Sequence, residues 1–293
     1  MSRSANGQSE FVAQELRDLQ WALESPSLLS LNACSLKPPK QTQWEAYQPQ
    51  LLNFLDTRTS HRVGRYFENL VQFGIEQING FKLIAQNEQV VERGQTRGEI
   101  DFVFQSSETE LYHCETAVKF YLFHSSETSM GSHFIGPNTS DTLERKIDRL
   151  VNRQLPLGTR LFPALKHQFA HVKGIIFYHP DQSPPHSLPE HLSPKHLRGT
   201  WIKHCEWDAF AHSSGYRQFK ILRKPYWLGS QILQSDSAIE ILSTESLRAQ
   251  IAQHFDQTEH SLMISAFDSD QMSNEECERL FIVADHWPQP LTS

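Results

Sequence analysis

Two short stretches, GEIDFVF (residues 98–104) and HCETAVKFYL (113–122), decide how this chain is read. Both are rich in β-branched and aromatic residues and both carry charges among them. In an extended segment alternate side chains share a face. Glu99 and Asp101 therefore fall on one side of the first stretch. His113, Glu115, Ala117 and Lys119 make one polar face of the second, and Cys114, Val118, Phe120 and Leu122 its apolar face. Charged groups are seldom buried without partners. Either these strands have a solvated face, or the charges meet in a site.

Working outward, residues 60–78 form an amphipathic helix, with Val63, Phe67, Leu70, Val71, Ile75 and Ile78 at helical spacing and Glu68 at the edge of the stripe. Asn79-Gly80 ends it. FKLIAQ (81–86) is a strand, 92–98 a loop, GEIDFVF the second strand, QSSETE (105–110) a turn and 111–123 a long third strand, spaced for an antiparallel meander. After a polar loop, Ser140 or Asp141 caps a helix whose apolar face is Leu143, Ile147, Leu150 and Val151. VKGIIFY (172–178) has the apolar character of a sheet-interior strand. Five prolines make 180–197 a loop, and 200–207 and 219–228 are further strands. Upstream, helices cover 11–24 and 43–56; downstream, a helix lies near 244–255. The pattern implies an α/β or α+β fold with a mixed central sheet flanked by helices. We divide it into a helical N-terminal extension (1–58), a core (59–234) and an acidic segment packed on it (235–293).

No apolar run among the 293 residues is long enough to span a bilayer. The polar lead MSRSANGQSE lacks a signal-peptide core, so a cytoplasmic protein with a disordered lead and no membrane partner is expected. Cys34, Cys114, Cys205 and Cys277 are scattered, which favours reduced, buried thiols. His-Cys-Glu occurs at 113–115 and 204–206, but neighbours in a strand face opposite ways, so a zinc site there is weakly supported. The net charge of −7 is unevenly spread: from Ser235 onward there are eleven acidic and two basic residues. Residues 141–173 hold seven basic against three acidic, and 195–224 seven against two. A polyanionic partner is thus compatible with the acidic total.

Carboxylates on the first core helix and on the second and third strands, with a lysine beyond, suit phosphodiester hydrolysis. Hard oxygen ligands hold Mg²⁺, which stabilises phosphoryl charge and helps ionise water. A lysine orients that water and offsets developing charge. The order of elements, the charges and the run LIAQNEQVVERGQTRGEIDFVF resemble the PD-(D/E)XK, or restriction-endonuclease-like, nuclease superfamily. More widely, RDLQWALESPSLL, GRYFENL, GEIDF, ETAVKFYL and FIGPNTSDTLERK are similar to a bacterial family known as domain of unknown function 1853.

What the superfamily resemblance implies is a Mg²⁺-dependent nuclease, with Mn²⁺ as a substitute and DNA as the expected partner. Asp101 matches its metal-binding aspartate, Glu115 the carboxylate of its (D/E)XK element, Lys119 the nearest lysine and Glu68 its first-helix carboxylate. Gln154 resembles a glutamine on the second core helix. Arg145, Lys146, Arg149 and Arg153 would join Gln154 in contacting phosphates, unless they pair with Glu144 and Asp148. One departure stands out: three residues, not one, separate Glu115 from Lys119, and Ala117 stands where the lysine belongs. Along a regular strand that places the two Cα atoms about 13 Å apart instead of about 7 Å. The alternative reading is therefore a catalytically inactive nuclease-fold protein that binds nucleic acid or a protein partner.

Overall fold

The computed structural model describes residues 12–31, 35–126, 132–233, 241–268 and 274–289. The polar lead and Cys34 lie outside the described residues. Helices α1 (Gln14–Glu24), α2 (Gln48–Asp56) and α3 (Val63–Phe73) precede a three-stranded meander, β1 (Lys82–Glu92), β2 (Gln95–Gln105) and β3 (Leu111–Phe123). There follow β4 (Phe134–Ile135), α4 (Leu143–Arg149), α5 (Leu157–Leu161), β5 (Leu165–Tyr178), β6 (Leu197–Lys203) and α6 (Trp207–Ser214). The chain continues through β7 (Gln218–Ile221), α7 (Thr244–Gln257), β8 (Leu262–Phe267) and β9 (Glu278–Val283). The strands form one mixed sheet in the order β1-β2-β3-β5-β6-β9-β8-β7, with β4 paired to β3. β5, β6 and β9 continue from β3 in parallel. Among the described residues no helix is long and apolar enough to cross a membrane.

Several elements differ from the reading of their sequence, for identifiable reasons. The helix expected over 60–78 starts at Val63 and widens into a π turn at Gly74–Ile78. Strand β5 is twice as long as VKGIIFY because LKHQFAH (165–171), polar as a sequence, pairs along β3 and places its histidines on partners, His167 on Glu110 at 3.1 Å among them. His171 Nε2 bonds the Ala22 carbonyl at 2.8 Å, and the Lys173 ammonium donates to the Ser25 carbonyl. Both acceptors are at the C-terminal end of α1, where carbonyls lack helical partners and cations are favoured. Burial lowers the His171 imidazole to about 3 and the Lys173 ammonium to about 8. The strand expected at 200–207 stops at Lys203, because the Glu206 carboxylate accepts the Lys203 N–H at 2.7 Å and turns the chain into α6. The strand expected at 219–228 ends at Ile221. Helix α4 is capped by Thr142, whose hydroxyl accepts the Arg145 N–H, and not by Ser140 or Asp141. Cys114 is buried as expected of a reduced thiol, but Cys205 and Cys277 are exposed.

Leu16, Leu19 and Leu23 of α1 and Leu51 and Leu55 of α2 share one core with Phe67 and Leu70 of α3 and with Phe102, Phe104 and Cys114 of the sheet. The acidic segment contributes β8 and β9 to the same sheet. A buried polar clasp joins the first helix to the last strands. Asp18, fully buried, accepts from Gly229 N (2.7 Å), Tyr66 OH (2.9 Å) and Gln14 Nε2 (2.9 Å). Burial raises its carboxyl to about 6 against the pull of those donors. Beside it, Arg279 grips both oxygens of Glu276 and donates to the carbonyls of Trp227 (2.7 Å) and Gly229 (3.0 Å).

Candidate active site

Strands β2 and β3 pair from Gln105↔Leu111 to Phe102↔Cys114, and the ladder stops there. β2 continues along β1 as far as Gln95, while β3 runs on beside β5 to Leu122. The sheet therefore forks at Asp101 and Glu115, the next residues on each side. Backbone groups at a fork need new partners, and the two carboxylates supply them reciprocally. The Asp101 N–H donates to Glu115 Oε1 (3.4 Å), and the Thr116 N–H donates to Asp101 Oδ2 (2.7 Å).

The fork is plugged from one side by α5. Leu157 packs with Val90, Ile100 and Val103, and Gly158 lies against the His113 ring. A Cβ at Gly158 would stand 2.3 Å from His113 Nδ1, far inside contact distance. We expect Gly158→Ala to destabilise the protein by about 1–3 kcal/mol through this overpacking. A thermal melt checks it, and an unchanged midpoint would mean that α5 does not press on His113.

Glu115 is fully buried. Its Oε1 also bonds His113 Nε2 (2.8 Å), and its Oε2 accepts from Gln154 Nε2 (2.6 Å). Gln154 Oε1 in turn accepts from the Lys146 ammonium (3.1 Å). A hydrogen-bonded relay thus runs from α4 through the π turn at Leu150–Gln154 to the sheet. The polar face of β3 is therefore not solvated at its start: His113 and Glu115 are covered by the segment after α4.

Charge in the site is unbalanced. Burial raises the Asp101 carboxyl to about 7, with Glu115 and then Glu68 raising it further against the pull of the Thr116 N–H and Lys146. Burial and the nearby Lys119 lower the Lys146 ammonium, while Asp101 and Glu115 hold it up. Three carboxylates and two lysines thus act on one another.

The structure brings together Asp101, Glu115, Gln154 and Lys146, with Glu68 close enough to bear on Asp101. Glu68 itself is bridged to Arg65 at 2.8 Å. Lys119 turns to Asp141 (2.6 Å), which also accepts from Tyr121 OH (3.2 Å). Glu99 is exposed on the hairpin opposite Gln89. Arg145, Arg149 and Arg153 are exposed at four-residue spacing. Glu144 is engaged by Ser132 and Asp148 by Asn152. Lys146, read from the sequence as a phosphate contact, bonds the Gln154 amide and through it is linked to Glu115. His113, on the same strand face two residues before Glu115, is buried and bonded to it.

The donor set suits a hard cation in part. Among the described residues no group of three or more His, Cys, Asp or Glu side chains is arranged to hold a metal. Mg²⁺, however, is bound through as few as one or two carboxylates and keeps several waters. The hydrogen bonds to Asp101 fall on Oδ2; burial first, and then the neighbouring Glu115, raise its carboxyl, and a divalent ion would offset the charge of that pair.

No curated protein and no solved structure matches the chain. Residues 17–283 match the family model described as Domain of unknown function (DUF1853), from within α1 to the end of β9, the fork included, and the chain belongs to that family.

Proposed function

We propose that the fork is a Mg²⁺-dependent phosphodiesterase centre acting on nucleic acid, DNA by preference, on a sheet of restriction-endonuclease-like type. The observation that carries this reading is the meeting of Asp101 and Glu115 where β2 leaves β3, with the relay from Lys146 ending on Glu115. Mg²⁺ or Mn²⁺ would supply a polarised phosphate and an ionised water. Asp101 and Glu115 would be its carboxylate ligands, with Glu68 adding negative charge. His113 and Gln154 fix the Glu115 carboxylate from both oxygens. Lys146 replaces the lysine absent from position 117 and offsets charge on the phosphate, while Arg145, Arg149 and Arg153 hold flanking phosphates. Lys119 braces Asp141.

The test is cleavage of labelled single- and double-stranded DNA and RNA with Mg²⁺, with Mn²⁺ and with chelator. Lys146→Met is expected to lower kcat by about 10²-fold or more. Lys119→Met is expected to change it by no more than about threefold. The reverse ranking would return the role to Lys119. A second reading, a catalytically inactive fold that binds nucleic acid or a protein, is favoured by one observation: both Glu115 oxygens are already hydrogen-bonded. Absence of cleavage and of any metal-dependent rise in melting temperature would select it.

A further inference from the structure

The basic stretch 195–224 is not absorbed by the fork. Its last cations, Lys220, Arg223 and Lys224, line a separate cleft of about 1310 Å³ between the α1–α3 wall and the turn after β7. That volume exceeds the ~300–1,000 Å³ usual for a small-molecule pocket. Among the described lining residues, five are Arg or Lys and two are acidic, in a chain whose net charge is −7. Arg17 is committed to the wall, where its guanidinium bonds Gln14 and backbone carbonyls. Arg58, Arg223 and Lys224 are exposed, and among the described residues none of the three forms a salt bridge. Arg58 lies over the Phe54 ring and Lys224 over the Trp227 ring, which places each cation at the cleft without neutralising it.

Of the two acids, Glu15 accepts from Tyr226 OH at 3.0 Å. That bond, with the edge-on contact of Tyr226 to Tyr66 at 5.8 Å, fixes a tyrosine that is 38% exposed among the cations. Fixed cations around a held, accessible aromatic ring are the chemistry that recognises a phosphate with an attached base: charge takes the phosphates and the ring stacks the base. Tyr66 faces this cleft, whereas Glu68, two residues on, bears on Asp101. Two residues turn a helix by about 200°, so the cleft and the fork lie on different sides of α3.

We propose that this cleft is a second ligand site, independent of the fork, that binds phosphate-bearing nucleotide units, either free or within a single strand. The experiment is fluorescence anisotropy on the full chain in chelator, with a labelled thymidine oligonucleotide and a labelled nucleoside triphosphate as probes. Oligonucleotide binding alone assigns a strand, and equal binding of both assigns the free nucleotide; either supports the site. The double charge reversal Arg223→Glu/Lys224→Glu should weaken binding more than tenfold and reduce the salt slope by about two. Tyr226→Ala should weaken it about tenfold, and Asp101→Asn should leave it unchanged. These side chains are exposed, so folding should survive; Arg58→Glu on the facing wall provides an independent variant. Binding of neither probe overturns the proposal, as does affinity that the charge reversals leave untouched. A change of affinity in Asp101→Asn, upward through lost repulsion or downward, would instead place the ligand at the fork.

Discussion

Asp101→Asn is expected to stabilise the metal-free protein above neutral pH and to abolish cleavage. The sign follows from the raised carboxyl. In the unfolded chain Asp101 loses its proton near its ordinary value of 3.8, but in the fold it keeps the proton to about 7, because burial and Glu115 oppose the charge. Between those values the unfolded state binds fewer protons, so stability falls as pH rises, and the full cost is present above pH 7. Asparagine removes the charge and keeps an acceptor for the Thr116 N–H. The variant should match the parent near pH 4 and exceed it at pH 8 by roughly 1–3 kcal/mol, shared with Glu115 as a pair. That is on the order of 5 °C in midpoint. Mg²⁺ should recover the difference in the parent and do nothing for the variant. Thermal melts at the two pH values, with and without Mg²⁺, check this; a variant less stable at pH 8 would mean that the carboxylate charge is already compensated in the fold.

Arg279→Ala is expected to be the most damaging single change outside the fork. It leaves Glu276 nearly dry, with a side-chain exposure of 6%, strips the Trp227 carbonyl of its donor and leaves the Gly229 carbonyl only the longer bonds from Gln14 and Gln231. Breaking a buried pair from one side costs about 3–5 kcal/mol, or about 10 °C in a chain of this size. Arg279→Lys should rescue little, since an ammonium cannot reproduce the fork that meets both Glu276 oxygens and two carbonyls. Replacing the pair together, Arg279→Met with Glu276→Gln, should restore much of the loss because no unpaired charge remains. Urea titration of the three variants checks the order, and a loss below about 1 kcal/mol in Arg279→Ala would show that water reaches Glu276.

Strand β3 was legible at both ends, because a turn-forming stretch precedes it and one of its faces alternates polar residues against an apolar opposite face. The convergence of Asp101 and Glu115 was legible for the same reason: residues 101 and 115 face one another in the antiparallel register that the turn at 105–110 sets. The fork itself was not, since nothing local marks where a ladder ends. The first half of β5 was hidden because its polar side chains find partners far off in sequence, as His171 does on α1, 149 residues earlier. The link from Lys146 to Glu115 was hidden for a like reason: it passes through Gln154, eight residues on in a turn of π geometry that helical spacing does not anticipate.

Strand β9 lies between β6 and β8. During synthesis, β6 leaves the ribosome some eighty residues before its neighbour does and β8 just ahead of it, so both wait with bare hydrogen-bonding rims. A nascent chain stalled before residue 278 would therefore carry two sticky borders and, lacking Arg279, an open clasp. Such a product invites chaperone capture or clumping, and premature stop codons late in the reading frame should yield insoluble protein and not merely shortened, working copies.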